Sequence, residues 1–366
     1  MQEALFEALF AAGALRHKPP PRYEFRVLKE LLSRIEASID DWEQHVSAPP
    51  TRGSLVRRVN SRGYMVLIVG AHRQGISDNL MSSLSEILSA PMPEELSAVQ
   101  QRSYVTYHVS LLEGLIPRSD CNISILESRS LVSAAGTTGM RTWEASLHLG
   151  QFLCSRPFLV SGKRILELGA GTGYLSILCA KFLSATQVIA SDGSDDVVNN
   201  LPDNLYINDL QDSGRVISPM GLKWGHALLG TEEKGWNGGR EIDLVLGADV
   251  TYDKSIIPFL VATLEELVDL FPAVAILIAA TQRNLSTFET FFSTCQRHGF
   301  HAKLEDFPVI PRDKQTGPFY SDQTPIHICS LSRLPKKPGH GLIDKAVSAV
   351  TVEVFPEHNH REPAGH

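Results

Sequence analysis

The sequence predicts an α/β protein in which a doubly wound sheet of seven strands follows a mainly helical N-terminal region. Between residues 164 and 331, short β-rich apolar runs alternate with amphipathic helical patterns. This alternation is typical of a mostly parallel sheet with crossover helices. A glycine-rich turn follows the first of these runs, at the sheet edge where open α/β sheets bind ligands. The chain has 366 residues, which allows one domain of this size and a smaller one.

Residues 1–120 form the predicted N-terminal helical domain. Apolar residues recur at helical spacing over residues 5–14 and 25–42, and prolines 19–21 separate the two segments. Residues 64–71 have instead the apolar pattern of a buried strand, without an evident partner strand nearby. This domain is therefore expected to be helical, with one unexplained strand-like run.

Residues 121–334 form the predicted catalytic domain, and residues 335–366 a loose tail. A hairpin-like pair at residues 123–127 and 131–134 precedes a predicted helix at 143–154. The predicted strands of the sheet are residues 164–168, 188–191, 216–218, 242–248 and 274–279, and a final pair near 301–307 and 326–331. In the tail, a metal site built from two or three histidines is the alternative to a loose segment.

Charge and cysteine content restrict the functional class. The chain carries 34 Lys and Arg against 41 Asp and Glu, a formal charge of −7, which disfavours a general nucleic-acid binder. The five cysteines have neither C-x-x-C nor metal-ligand spacing, which favours reduced thiols in the cytoplasm and no metal site. We recognise no targeting segment and no apolar run near the roughly 18–20 residues that span a bilayer. We therefore expect a cytoplasmic protein that does not contact membranes. The sequence carries no signal of oligomeric state, and we take a monomer as the default.

The glycine-rich turn lies in the stretch Ile-Leu-Glu-Leu-Gly-Ala-Gly-Thr-Gly-Tyr, which begins at residue 165. Glycines there allow positive φ and a close approach of the backbone to a ligand. A dinucleotide-binding fingerprint would need glycine at Tyr174, so the spacing disfavours a dehydrogenase. A purely structural turn is the alternative interpretation of this motif taken alone.

Polar and aromatic residues follow the neighbouring predicted strands. Asp192 ends the next strand, about 20 residues after the turn, where a carboxylate can accept hydrogen bonds from both hydroxyls of a ribose. Its alternative role is to cap the following helix. Trp224 follows the third strand and can cover an adenine ring, although ordinary packing also explains a tryptophan there.

Asp249 and Tyr252 come just after the fourth predicted strand. A carboxylate and a phenol at this position can orient an amine nucleophile and stabilise developing positive charge. A capping aspartate and a packed tyrosine are the structural alternative.

Four segments together resemble methyltransferase family 16, the seven-strand class I protein-lysine methyltransferases. They are Thr-Thr-Gly-Met-Arg-Thr-Trp-Glu-Ala from residue 137, the turn at 169–173, Leu-Lys-Trp at 222–224 and Ala-Asp-Val-Thr-Tyr at 248–252. The first segment and the helical N-terminal extension most resemble the eukaryotic elongation factor 2 lysine methyltransferases. The resemblance extends over about residues 122–331 and only loosely over the N-terminal third.

This resemblance implies a Rossmann-like fold, S-adenosyl-L-methionine as cofactor and a protein substrate, elongation factor 2. The cofactor contacts that it implies are Trp143, the backbone of Gly169, Ala170 and Gly171, Asp192, Trp224 and Ala248. It also implies that Asp249 and Tyr252 face the target lysine. Residues 137–139 would form an edge loop that lets Trp143 and Glu144 close over the methionine end of the cofactor.

A lysine must lose its proton before it accepts a methyl group, because its pKa in solution is about 10.4. We expect Tyr252 to shape the lysine channel, and Asp249 to orient the lysine and balance the charge of the product. Nucleic-acid amino-methyltransferases carry [N/D]-P-P-[Y/F] here, and both prolines are missing from Asp-Val-Thr-Tyr. A small-molecule methyltransferase and a non-catalytic cofactor-binding assembly factor stay open as alternatives.

Overall fold

The computed structural model describes residues 1–45, 76–90, 102–128, 138–211, 216–226, 228 and 240–333. Three predicted features lie outside these described residues. They are the strand-like run at 64–71, the second half of the predicted hairpin at 131–134, and the tail at 335–366.

Most helices and strands of the described residues lie close to predicted bounds, whereas α3 and β1 correspond to no predicted element. The helices are α1 Gln2–Leu9, α2 Pro21–His45, α3 Asp78–Ser89, α4 Glu144–Ser155, α5 Tyr174–Lys181, α6 Asp195–Ile207, α7 Ile257–Leu270 and α8 Leu285–Arg297. The strands are β1 Ser103–His108, β2 Asn122–Glu127, β3 Arg164–Leu168, β4 Gln187–Asp192, β5 Ile217–Gly221, β6 Leu244–Ala248, β7 Ala275–Thr281, β8 Phe300–Leu304 and β9 Ile326–Arg333.

Strands β3 to β9 form a single sheet of seven strands in the order β5-β4-β3-β6-β7-β9-β8. The strands from β5 to β7 are parallel, whereas β9 is antiparallel to both β7 and β8. Strand order reverses beside β3, between β4 and β6, which creates the crevice where open α/β sheets bind ligands. The predicted α/β fold with a mostly parallel seven-strand sheet is confirmed.

Helices cover both faces of this sheet. On β3, Ile165 packs into a core with α4, α5 and α6, whereas Leu166 and Leu168 pack into a second core with α7 and α8. Successive side chains of a strand point to opposite faces of the sheet, so a central strand that is covered on both faces must carry apolar side chains on both. The continuous apolar run of β3 is therefore the sequence signature of its central place.

Strand β2 pairs with β1, antiparallel, from Ser103 opposite Glu127 to His108 opposite Asn122. The sequence pattern suggested a partner at residues 131–134, and β1 was not recognised as a strand. The run Ser-Tyr-Val-Thr-Tyr-His does contain the β-branched and aromatic residues of a strand. Its apolar pattern is weak, because the less exposed side begins with polar Ser103 while aromatic Tyr104 is exposed, and only Tyr107 is buried.

The other edge of β2 is bonded to two asparagine side chains, one in α6 and one directly after it. Asn204 accepts the N–H of Leu126 at 2.8 Å and donates to the carbonyl of Thr172 at 2.9 Å. Asn208, one turn later on the same face, accepts the N–H of Ser124 at 3.0 Å and donates back to its carbonyl at 2.6 Å. The helix therefore satisfies backbone groups of β2, and Asn204 links β2 to the glycine-rich turn.

The N-terminal helices α1, α2 and α3 pack around their own small apolar cluster, centred on Leu28, Leu32 and Leu80. The polar side chains of Gln2 and Glu3 also bond to the start of α3. The predicted helices of this region are thus observed. No helix among the described residues combines the length and the apolar character needed to cross a membrane.

Replacing Asn204 by Ala should lower the free energy of unfolding by about 2–3 kcal/mol, because the buried N–H of Leu126 and the carbonyl of Thr172 lose their partner. Asn199→Ala, at an exposed position of the same helix, is the matched control and should change stability little. Urea unfolding of both variants measures the difference. Equal effects of the two substitutions would contradict this role for Asn204.

Candidate active site

A cavity of about 820 Å³ opens at the carboxyl ends of the central strands. All nine residues predicted to bind cofactor or substrate line it: Trp143, Gly169, Ala170, Gly171, Asp192, Trp224, Ala248, Asp249 and Tyr252. They come from five separate segments of the chain. The sheet gathers them because parallel strands end at the same edge.

The glycine-rich turn bends between β3 and α5 with positive φ at Gly169, Gly171 and Gly173, of 66°, 54° and 82°. A Cβ on Gly169 would lie 2.8 Å from Cγ1 of Val250, and one on Gly171 would lie 3.2 Å from the carbonyl oxygen of Gly139. The backbone of the turn therefore packs directly against its neighbours. This leaves the wall of the cavity without side chains where a ligand can contact main-chain groups.

Tyr174 begins α5 and is fully buried in the core, edge-on to Tyr107. The dinucleotide fingerprint requires a glycine at this position. A buried, core-packing tyrosine therefore occupies the position at which a dinucleotide-binding turn needs its third glycine.

Asp192 ends β4 and is held by two backbone groups. Its Oδ2 accepts the N–H of Gly171 at 3.1 Å, and its Oδ1 accepts the N–H of Ser194 at 3.0 Å. Burial raises the pKa of Asp192, and these N–H groups oppose that shift. The N-cap of α6 is Ser194, so Asp192 supports the start of the helix without being its cap. Each carboxylate oxygen keeps a lone pair that can accept from a ligand hydroxyl.

Glu167 lies beneath the turn, buried among the residues of β3 and α5. Its carboxyl accepts a hydrogen bond from the hydroxyl of Ser176, and burial raises its pKa to about 7. The hydroxyl of Ser191 donates to its backbone carbonyl at 2.6 Å. The carboxyl of Glu167 therefore ties β3 to α5, and its backbone carbonyl ties β3 to β4, while Glu167 is not part of the cavity lining.

The loop before α4 is anchored from two sides. Glu127 of β2 accepts the N–H of Thr142 at 2.9 Å, and the hydroxyl of Thr142 bonds to that of Thr172 at 2.7 Å. The indole N–H of Trp143 donates to the carbonyl of Thr138 at 3.0 Å. These bonds place Trp143 at the cavity edge, as predicted for the edge loop; its first residue, Thr137, lies outside the described residues.

Asp249 follows β6 in a left-handed conformation with φ of 59°, which a short polar side chain tolerates better than most. Its buried carboxylate is bound by both terminal nitrogens of the Arg283 guanidinium, at 3.1 and 2.8 Å. Arg283 follows β7, the neighbour of β6, and also lines the cavity. Sequence reasoning missed Arg283, although a charged residue just after a predicted central strand is a signal that could have found it.

Arg283 also belongs to a wider cluster around Trp143. The guanidinium groups of Arg283 and Arg141 lie 4.9 and 4.6 Å from the ring centroid of Trp143. Glu144 contacts both, at 3.0 Å from Arg141 and 3.6 Å from Arg283. The predicted acid Asp249 is therefore one member of a paired network rather than an isolated charge.

Trp224 and Tyr252 lie on the remaining walls. The indole of Trp224 packs beside Gly169, where a Cβ would be 3.6 Å from its Cζ2 atom. Tyr252 is 52% exposed, which places its phenol at the mouth of the cavity rather than in the core. Tyr252 and Asp249 thus line the same cavity, Tyr252 at its exposed side and Asp249 at a buried position.

Comparison with known proteins agrees with this site. Residues 125–298 match the family model described as lysine methyltransferase. Over 333 residues the chain is 56% identical to protein-lysine N-methyltransferase EFM3 of Chaetomium thermophilum, covering 91% of this chain and 90% of that protein. The chain belongs to this family of protein-lysine N-methyltransferases.

Two further relatives are more distant. The chain is 29% identical over 250 residues to protein-lysine N-methyltransferase EEF2KMT of Homo sapiens, covering 65% of this chain and 68% of that protein. It is 32% identical over 174 residues to EEF1A lysine methyltransferase 3 of Mus musculus, covering 45% of this chain and 65% of that protein. The predicted enzyme class is confirmed, and the dehydrogenase and non-catalytic alternatives are not supported.

S-adenosyl-L-methionine is the cofactor of this protein-lysine N-methyltransferase. The cavity fits it: the turn exposes backbone at Gly169 and Gly171 where a Cβ would intrude, and Asp192 offers acceptors for hydroxyls. Trp143 and Trp224 add aromatic surface on the walls.

Replacing Gly169 by Ala should weaken S-adenosylmethionine binding by at least about tenfold. The new methyl group would displace Val250, and the left-handed φ adds strain of roughly 1–2 kcal/mol. Gly162→Ala is the matched control, because Gly162 also has positive φ but open space around its Cβ position. Calorimetric titration of both variants measures the affinity. The same loss of affinity in both would contradict the predicted role of the close packing.

Glu167 should make stability depend on pH. Since burial raises its pKa from 4.5 to about 7, the folded protein keeps a proton that the unfolded chain releases between these values. Its contribution to the free energy of unfolding therefore falls as pH rises through this window. In Glu167→Gln that loss is absent, so the stability of the variant relative to wild type should increase between pH 5 and pH 8.

Urea unfolding at several pH values tests this expectation. Glu289→Gln, at an exposed position of α8, is the control and should follow the wild-type pH profile. A constant difference between Glu167→Gln and wild type across the window would show that Glu167 does not titrate there.

Proposed function

We propose that this protein-lysine N-methyltransferase transfers a methyl group from S-adenosylmethionine to a lysine of translation elongation factor 2. The observation that carries the chemistry is one cavity that holds the glycine-rich turn, Asp249 and Tyr252 together. The substrate follows from the resemblance of residues 137–145 to elongation factor 2 lysine methyltransferases, and from the name of the human relative EEF2KMT. Both factor and enzyme would meet in the cytoplasm, with the enzyme acting as a monomer on protein rather than on nucleic acid.

The cofactor-binding roles are distributed over the walls of the cavity. Asp192 would accept the ribose hydroxyls, since its two oxygens are already aligned by the N–H groups of Gly171 and Ser194. Trp224 would cover the adenine, and Trp143 would close over the methionine end. The backbone of Gly169, Ala170 and Gly171 and the small side chain of Ala248 would contact the cofactor directly. Bound in this way, S-adenosylmethionine supplies a methyl group on a positively charged sulfur.

The remaining residues act on the lysine. A lysine amine with its ordinary pKa of about 10.4 is almost entirely protonated at pH 7, so the site must favour the neutral form. Tyr252 would shape the channel at the mouth and remove water from the lysine side chain. Asp249 would accept a hydrogen bond from the amine and so direct its lone pair.

Elongation factor 1A is the second candidate substrate. The observation that favours it is the name of the mouse relative, EEF1A lysine methyltransferase 3, with 32% identity. The matched region of that relative covers 45% of this chain, against 65% for the human relative. The broader match favours elongation factor 2.

Replacing Asp249 should abolish methyl transfer while cofactor binding is largely retained. Asp249→Asn is the informative variant beside Asp249→Ala, because asparagine tolerates the left-handed backbone that alanine strains. Transfer of labelled methyl from S-adenosylmethionine to purified, unmodified elongation factor 2 and elongation factor 1A measures activity, with tRNA as a control substrate. Calorimetry measures cofactor affinity.

Label on one lysine of elongation factor 2, absent with the Asp249 variants, is the expected result. Label confined to elongation factor 1A would replace the proposed substrate. Equal loss of cofactor binding and turnover in both variants would contradict the role of Asp249 toward the lysine.

A further inference from the structure

Arg283 holds the carboxylate of Asp249 in a two-bond ion pair. Nη1 binds Oδ1 at 3.1 Å and Nη2 binds Oδ2 at 2.8 Å, while the N–H of Thr281 donates to Oδ1 at 3.3 Å. The side chain of Asp249 is 7% exposed, and that of Arg283 is 41% exposed. A forked guanidinium pair fixes both the position and the plane of a carboxylate. The orientation of Asp249 therefore depends on Arg283.

Arg283 is itself held on its other side. Its guanidinium lies over the ring of Trp143, 4.9 Å from the centroid, and 3.6 Å from a carboxylate oxygen of Glu144. Glu144 is bound in turn by Arg141 at 3.0 Å. Trp143 and Glu144, at the start of α4, therefore also hold the guanidinium of Arg283, so its position does not depend on the ion pair with Asp249 alone.

This pairing matters for the charge of the incoming lysine. An unpaired carboxylate within about 4–6 Å of an ammonium raises the pKa of that ammonium by roughly 1–3 units. This shift opposes formation of the neutral amine that acts as nucleophile. Once Arg283 offsets the charge of Asp249, that opposition is removed. The carboxylate still has lone pairs free to accept an N–H hydrogen bond from an amine that has released its proton to water.

We propose that Arg283 is a positioning residue that neutralises Asp249, so that the carboxylate orients the substrate amine without retaining its proton. This inference rests on the proposed role of Asp249 toward the target lysine. It assigns to the ion pair a function in the reaction, beyond its contribution to stability.

The surrounding charges support this assignment. Besides Asp249 and Arg283, the charged and titratable side chains described around the cavity are Arg141 and Glu144 at α4, Asp192 at β4, Lys223 after β5 and Tyr252 after β6. Within this described set the cations Arg141, Lys223 and Arg283 are matched by an equal number of carboxylates. Removal of Arg283 would leave an excess negative charge beside the substrate amine.

Binding of n-butylamine, a mimic of the lysine side chain, tests the inference without any protein substrate. Arg283→Gln loaded with S-adenosylhomocysteine should bind this probe, as its ammonium form at pH 7, at least about tenfold more tightly than wild type. Arg283→Lys should restore most of the wild-type affinity, and the gain should vanish in the double variant Arg283→Gln/Asp249→Asn. Calorimetry or NMR titration measures the affinity.

The matched control is Arg297→Gln, which removes the same charge at the end of α8, away from the cavity lining. It should bind the probe as wild type does. Thermal unfolding of every variant identifies loss of folding separately. Unchanged probe affinity in folded Arg283→Gln would overturn the inference.

The pH profile of methyl transfer is the second readout. In Arg283→Gln the acid limb of kcat should move up by about one pH unit, with the rate at pH 7 falling about tenfold and approaching wild type at high pH. A loss of rate that is equal at every pH would indicate a structural role only. A higher rate at every pH would mean that Arg283 competes with the lysine for Asp249. Either result would overturn the inference, whereas failure of elongation factor 2 as substrate leaves the probe measurement valid.

Discussion

The close approach of the turn at Gly169 and Gly171 to its neighbours is the constraint on which the site depends. The turn packs against Val250 beyond β6 on one side and against the carbonyl of Gly139, before α4, on the other. The turn, the loop that carries Trp143 and the loop that carries Asp249 lie so close that a Cβ would force Val250 to shift at Gly169 and would be tightly crowded at Gly171. A single cavity can therefore hold groups for the cofactor and for the lysine.

Hydrogen bonds behind the turn support this packing. Asn204 joins the carbonyl of Thr172 to the edge of β2, and Glu127 at the end of β2 holds Thr142, one residue before Trp143. Strand β2 of the antiparallel β1–β2 pair thus supports both the turn and the loop opposite it. Because these groups are buried, each of their hydrogen bonds resists displacement more strongly than a surface contact would.

Sequence patterns predicted the sheet and the cavity residues for a physical reason. Central parallel strands are apolar on both faces, so β3 and β6 stand out, and the residue after each strand must lie at the binding edge. Asp192 and Asp249 were found in this way. Arg283 was not, because its partner is set by the adjacency of β6 and β7, which a linear pattern does not contain. Strand β1, the antiparallel partner of β2, was missed because only one of its residues is buried and its apolar and polar residues do not alternate clearly along the sequence.

The charges around the cavity bear on the protonation state of the lysine in the proposed methyl transfer. S-adenosylmethionine carries a positive sulfur, and a lysine ammonium beside it would be repelled as well as unreactive. An unpaired aspartate would attract that ammonium, whereas Asp249 paired with Arg283 offers an acceptor with its charge already offset. Tyr252 is about half exposed and lines the same cavity as this ion pair. In this proposal the site admits the amine in its neutral, reactive form, because Arg283 already offsets the charge of Asp249 when the lysine binds.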